Sequence, residues 1–168
     1  MIQNFNHCYK HGKDAELRFS SAHLSDIKYP TKNQDIYEHW DVAGILNIIS
    51  NDVYKFDVKS SGKLKYSTHD KIMEDVWIEA RNVRGNDGWI KGIADYIVFE
   101  REKSWFIVNR IQLLDLTRKK VKDNNCKKGK GRYLLHTRIG RKDLVTQIPF
   151  YDMKTIEHYE LKKESNNG

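Results

Sequence analysis

The stretch 38–59, EHWDVAGILNIISNDVYKFDVK, restricts what this chain can fold into more than any other, because it sets acidic side chains inside two apolar runs. The first run opens with Asp41 and the second delivers Asp57-Val58-Lys59, with a turn signal, Ser50-Asn51-Asp52, between them. Successive strand side chains point to opposite faces, so Val53, Lys55, Asp57 and Lys59 share one side and Tyr54, Phe56 and Val58 the other. The pattern predicts a hairpin with one apolar face buried and chemistry on the opposite face. Aspartate is disfavoured in mid-strand, so Asp57 needs a compensating partner. Paired as a hairpin, the two runs bring Asp41 toward Asp57 and Lys59. Two anionic oxygen donors and an ammonium in one small volume suit a divalent cation.

A chain of 168 residues fits a single domain with room for a real core, and neither an internal repeat nor a composition shift marks a second one. With 32% charged and 39% hydrophobic residues, it is polar but too apolar to be disordered. No apolar run reaches the roughly 20 residues needed to cross a bilayer, and the opening MIQNFNHCYKHGK lacks the apolar centre of a signal peptide. These features predict no membrane partner and a cytoplasmic protein. Cys8 and Cys126 are too few for a disulfide framework, and a reducing compartment keeps them as thiols. His7, Cys8 and His11 fall short of the four ligands of structural zinc.

The net charge of +7 is unevenly spread. Residues 1–100 hold 13 Lys/Arg against 15 Asp/Glu, whereas 101–168 hold 17 against 8. The excess lies in 118–142, with 11 basic residues and one acidic, Asp123. Such a block attracts a polyanion, and nucleic acid is the commonest in the cytosol. Arg118, Lys119, Lys122, Lys127, Lys128, Lys130 and Arg132 are the expected contacts, with Gly129 and Gly131 letting backbone approach phosphates. The plainer reading is a solvated lysine-rich loop.

Along the chain, residues 1–12 lack periodicity and read as an arm. Asp14 caps a predicted helix in which Ala15, Leu17, Phe19, Ala22 and Leu24 supply core, and Glu16, Ser20 and His23 form one stripe. Residues 25–37 read as a loop, 39–49 as the first strand, and 76–82 as a strand on which Trp77, Glu79 and Arg81 share a face. Glu79 either extends the acidic site or forms an exposed pair with Arg81. After a glycine-rich turn region, 85–92, come two strands, 94–100 and 104–110, then a helix over 111–122 with Ile111, Leu114 and Val121 inward. A basic loop, 123–132, precedes an expected hairpin of 133–138 with 144–148. Asp152 caps an expected helix running to Tyr159, and the last five residues fray.

Helix-borne Glu16, strand-borne Asp41, a turn, and Asp57-Val58-Lys59 on the next strand, taken in this order, resemble the PD-(D/E)XK nuclease superfamily. The likeness covers about residues 14–110, and the stretch WIEARNVRGNDGWIKGIADYIVFE looks like small nucleases of phage and related mobile elements. Trp40 stands in place of the eponymous proline, which the family often lacks, and Asp57 stands where many members carry Glu, the family admitting both acids. The resemblance implies a restriction-endonuclease-like α/β core, a central mixed sheet flanked by helices. It implies Mg²⁺ or Mn²⁺ held by Asp41, Asp57 and the Val58 carbonyl, with Glu16 joining through water. Lys59 would orient the attacking water and steady charge on phosphorus. A lysine among carboxylates stays protonated, which suits an electrostatic role better than that of a base.

The leading expectation is a metal-dependent deoxyribonuclease, endo- rather than exonucleolytic, acting in a bacterial or phage-infected cell. RNA stays open as a substrate, and a double-strand cut by so small a domain favours a homodimer. The competing readings are a catalytically inactive nucleic-acid-binding module of the same fold, and a structural protein whose Asp57–Lys59 pair is a surface ion pair worth about 0–1 kcal/mol.

Overall fold

The computed structural model describes residues 3–60, 75–121 and 131–163, with side chains from residue 10 onward. The chain is α/β. Six strands form a mixed sheet in the order β1-β2-β3-β5-β6-β8, and β4 pairs with β7 in a separate two-stranded ribbon. The sheet strands are β1 (Ser25–Lys28), β2 (Val42–Ile45), β3 (Val53–Lys59), β5 (Tyr96–Glu100), β6 (Ser104–Asn109) and β8 (His158–Lys162). The ribbon strands are β4 (Asp75–Arg81) and β7 (Leu144–Pro149), and the helices are α1 (Gln3–His23), α2 (Lys32–Glu38), α3 (Arg110–Lys120) and α4 (Phe150–Met153). No helix among the described residues is long and apolar enough to cross a membrane.

The alternation in 53–59 folds as expected. β2 and β3 form the hairpin in the register Val42↔Phe56 through Ile45↔Val53, and β3 lies parallel to β5 with Asp57 opposite Ile97. β3 and β5 are the sheet's one parallel pair among the described strands; the others are antiparallel. Both faces of the sheet are covered, so chemistry does not occupy an open face. On one side Phe56, Val58, Val98, Trp105 and Ile107 pack on Ala15 and Phe19 of α1. Phe19 meets Phe56 and Trp105 edge-on at 5.6 and 5.4 Å, contacts worth about 0.5–1.5 kcal/mol each beyond area burial. On the other side Ala43, Ile97, Phe99 and Phe106 pack beneath Ile78, Ile90, Leu113, Ile148 and Phe150, carried by the ribbon, a short 3-10 turn at Trp89–Lys91 and helices α3 and α4.

Several local expectations differ from the structure. α1 begins at Gln3 rather than Asp14, taking in most of the expected arm. Its buried stripe is Ala15, Glu16, Phe19 and Ser20, spaced for one helix face, whereas Leu17 is 55% exposed. Residues 25–37 are not a loop. They form β1 and then α2, whose start is fixed by a reciprocal Thr31–Gln34 capping box. In α3 the buried residues are Leu113, Leu116 and Thr117, with Leu114 partly buried against the same core as expected, while Ile111 is 59% exposed. β7 pairs along its length with β4; residues 131–138 add only single bridges, such as His136↔Val145. The expected last helix is one turn, α4, followed by the edge strand β8.

Candidate active site

The strand letters that looked anomalous in sequence meet where β2 begins, beside the C-terminal end of β3. Asp41 immediately precedes β2; its backbone N–H donates to the Phe56 carbonyl at 2.8 Å, and its carboxylate Oδ2 accepts the Val58 N–H at 2.7 Å. The Asp41 side chain thus occupies the place of the next ladder bond on β3. The N–H and C=O of one strand residue project toward the same edge, so the Val58 carbonyl lies on the side that Asp41 caps. Asp57 is 2% exposed. Its Oδ1 accepts from Lys59 Nζ at 2.6 Å, while its Oδ2 meets no hydrogen-bond donor. The Asp41 carboxyl stands close enough to Asp57 to share a proton with it, but two ionised carboxylates have none to share.

The electrostatics follow from this crowding. Burial pushes the Asp57 carboxyl well above the usual range, and Asp41 adds to the shift against the opposing pull of Lys59. Burial pulls the Lys59 ammonium down, but Asp57, Asp41 and Glu79 outweigh it and hold the group above its ordinary value. Lys59 Nζ also sits 4.8 Å from the centre of the Trp89 ring, a cation–π seat that fixes the charge. The ammonium is therefore protonated and positioned.

Glu16 reaches the same neighbourhood from α1. It is 6% exposed and paired with Lys13 at 2.7 Å; burial and then the charge of Asp41 raise its carboxyl. Glu79 comes from β4 and lies in the field of Lys59, Arg138 and Asp143, its carboxyl raised by burial. It does not form the exposed pair with Arg81, whose Nε donates instead to the Lys142 carbonyl. Three carboxyls are thus held above their usual values: Asp57 and Glu79 in the field of Lys59, and Glu16 in that of Asp41.

His39 belongs to this site and was not among the sequence candidates. It ends α2 in the left-handed region at φ 55°, an uncommon backbone state for a non-glycine residue. Its imidazole is held below the ordinary value by burial and then by Lys59. Gly92 makes the geometry possible: a Cβ there would come within 2.6 Å of His39 Cβ and 2.7 Å of the Glu38 carbonyl oxygen. Ile93 N–H donates to that Glu38 carbonyl at 2.8 Å, tying the end of α2 to the chain ahead of β5. The only sequence signal was its position in Glu38-His39-Trp40-Asp41; the contact that matters comes from 53 residues further on.

The basic residues are not all available. Arg118 and Lys119 are exposed at the end of α3, with Arg118 3.5 Å from Asp115, and Arg132 is paired with Asp75 at 2.9 Å. Lys122, Lys127, Lys128 and Lys130 lie outside the described residues, as does Cys126.

Among the described residues no three His, Cys, Asp or Glu side chains already stand as a metal-ligand group. Two features nevertheless fit a hard cation: a buried carboxylate oxygen with no donor, and acidic neighbours whose charges are mutually unfavourable without one. No protein-family model, no curated protein and no solved structure matches this chain.

Proposed function

We propose that this chain is a Mg²⁺- or Mn²⁺-dependent nuclease that hydrolyses phosphodiester bonds of DNA on a restriction-endonuclease-like core. The observation that carries the reading is the unmet Oδ2 of buried Asp57 beside Asp41, with a fixed ammonium 2.6 Å from the other oxygen. A carboxylate kept in so unfavourable a state calls for a function, since a neutral side chain would pack there at lower cost.

Asp41, Asp57 and the Val58 carbonyl would hold the cation, with Glu16 joining through water. The chemistry such an ion supplies when bound is a more acidic water and relief of negative charge at phosphorus. Lys59 acts as a cation throughout: it attracts a phosphoryl oxygen and steadies the charge that grows there in the transition state. Trp89 and Asp57 hold that ammonium in place, so little reorganisation is needed when charge develops. Asp57 and Asp41, with a smaller contribution from Glu79, keep Lys59 protonated. His39, neutral at physiological pH, offers a hydrogen-bonding group without adding charge. A DNA substrate would place the reaction in the cytoplasm of a bacterial or phage-infected cell.

The test is incubation of supercoiled, linear and branched DNA with Mg²⁺, Mn²⁺ or a chelator, using wild type and Asp57→Asn. Cleavage that needs the ion and disappears in the variant is the expected result. Binding without cleavage by both proteins would point to an inactive binding module instead. Cleavage that survives Asp57→Asn would refute the assignment.

A further inference from the structure

We infer that the cavity lined by Arg101, Phe150, Tyr151 and Lys154 is a nucleotide-binding subsite that grips the substrate strand away from the cleaved bond. This rests on the nucleic-acid substrate proposed above. The cavity measures about 310 Å³ and opens to solvent, at the small end of ligand pockets and suited to one nucleotide.

Its chemistry matches a base with its phosphate. The Arg101 guanidinium lies 4.4 Å from the centre of the Phe150 ring, and among the described residues no carboxylate pairs with it. A half-buried, always-charged group with five donors and no anionic partner is prepared for an external anion. Tyr151 is 55% exposed, and its ring is backed by the Arg132 guanidinium at 5.4 Å. Arg132 Nη1 donates to the Tyr151 hydroxyl at 3.3 Å, and the Tyr133 hydroxyl lies 3.3 Å from it, so the ring is braced yet uncovered. An exposed aromatic beside cations is the combination that stacks on unpaired bases.

The acids that contact Lys154, Arg132 and Tyr133 are already engaged. Glu160 pairs with Lys154 at 2.9 Å, Asp75 with Arg132 at 2.9 Å, and Asp152 with Lys120 at 3.1 Å and the Tyr133 hydroxyl at 2.7 Å. Arg101 therefore leaves the pocket with a net positive charge.

Its place relative to the candidate active site is also suitable. Arg101 follows the C-terminal end of β5, the strand parallel to the one bearing Asp57 and Lys59. A line of side chains on one face of the sheet joins the two places: Lys59 over Trp89, Trp89 against Phe99 at 6.2 Å, and Phe99 against Phe150 at 5.9 Å. A strand whose phosphate lies at Lys59 can lay a nucleotide a few residues along into this pocket. An unpaired strand fits best, because stacking on Tyr151 needs a base face that a duplex hides.

The test is fluorescence anisotropy with a labelled 15-residue oligothymidylate and a matching duplex, in chelator and over a series of salt concentrations. Wild type, Arg101→Gln, Tyr151→Ala and Tyr151→Phe are compared, with circular dichroism verifying the fold of each. We expect Tyr151→Ala to weaken single-strand binding about 5- to 100-fold and Tyr151→Phe to restore it. Arg101→Gln should lower the slope of log K against log salt by about 0.7, the loss of one phosphate contact. Unchanged affinity and slope in folded variants would overturn the subsite, even if Asp57→Asn abolishes cleavage and the nuclease reading stands. Weakened binding in these variants would uphold it even if cleavage proved indifferent to Asp57. No binding of the oligonucleotide by wild type would also overturn it.

Discussion

Neighbouring parallel strands carry two buried carboxylates, Asp57 on β3 and Glu100 on β5, and their surroundings are opposite. Glu100, with its side chain 4% exposed, accepts from Arg18 Nη2 at 2.9 Å and from Lys163 Nζ at 2.9 Å, reached from α1 and from the end of β8. Asp57 is as deeply buried but has one cation on one oxygen and another carboxyl facing it. Both carboxyls are buried in the sheet, yet only Glu100 collects two cations. A structural buried acid collects cations from distant elements, whereas Asp57 has a single lysine from its own strand and a second carboxyl, Asp41, beside it. Burial alone does not distinguish the two; the arrangement of partners does.

The sharpest way to break this comparison is to neutralise each acid in turn. Asp57→Asn is expected to lower cleavage at least about 10³-fold, a loss of roughly 4 kcal/mol in transition-state stabilisation, measured with a nicking assay at saturating Mn²⁺. Glu100→Gln should leave cleavage intact and destabilise the fold by about 3 kcal/mol, because two cations lose their shared acceptor. In a chain of this size that is a fall in Tm of roughly 6–12 °C by calorimetry. If Glu100→Gln abolished activity at unchanged Tm, the structural role given to Glu100 would be wrong.

A divalent ion should act on one acid and not the other. At a free concentration of about 100 Kd, Mn²⁺ is expected to stabilise wild type by about 2.7 kcal/mol and Asp57→Asn far less, read as a Tm shift. Equal shifts in both proteins would place the ion elsewhere.

The smallest effect concerns Asp57 without metal. A carboxyl whose folded value is raised contributes stability that is fully present below its unfolded pKa and is lost as pH rises through the folded value. Metal-free Asp57→Asn should therefore be more stable than wild type by about 1 kcal/mol at neutral pH, with the difference closing toward pH 4 in urea titrations. A gap that instead widens on acidification would mean that Asp57 is well satisfied in the fold.

The parts legible in the sequence were those with a strong local pattern. The alternation of 53–59 and the apolar runs of 96–100 and 104–109 became β3, β5 and β6, and Asp41, Asp57 and Lys59 meet because a hairpin register follows from that alternation. α2 was missed because none of its residues is buried, so no apolar stripe announces it, although the Thr31–Gln34 box was present in the letters. His158 and Tyr159 look like the end of a helix in the letters, whereas His158–Lys162 gains its strand state from pairing with β6, some fifty residues away. β7 was joined to its sequence neighbours when its real partner is β4, a pairing set by the layer above the sheet. His39 was unreadable for the same reason, since Gly92 supplies the space that its backbone needs. Placements decided by distant contacts leave little trace in local periodicity.

The border strand β1 has a consequence for how copies of the molecule meet. All four of its residues are exposed, Asp26 turns to φ 50°, and only Ser25 and Lys28 keep register with β2 across a bulge. A short, kinked, charged rim does not present the aligned row of amides that an incoming chain would need to zip onto it. Crowded copies are thereby kept from growing into a continuous ribbon along this side.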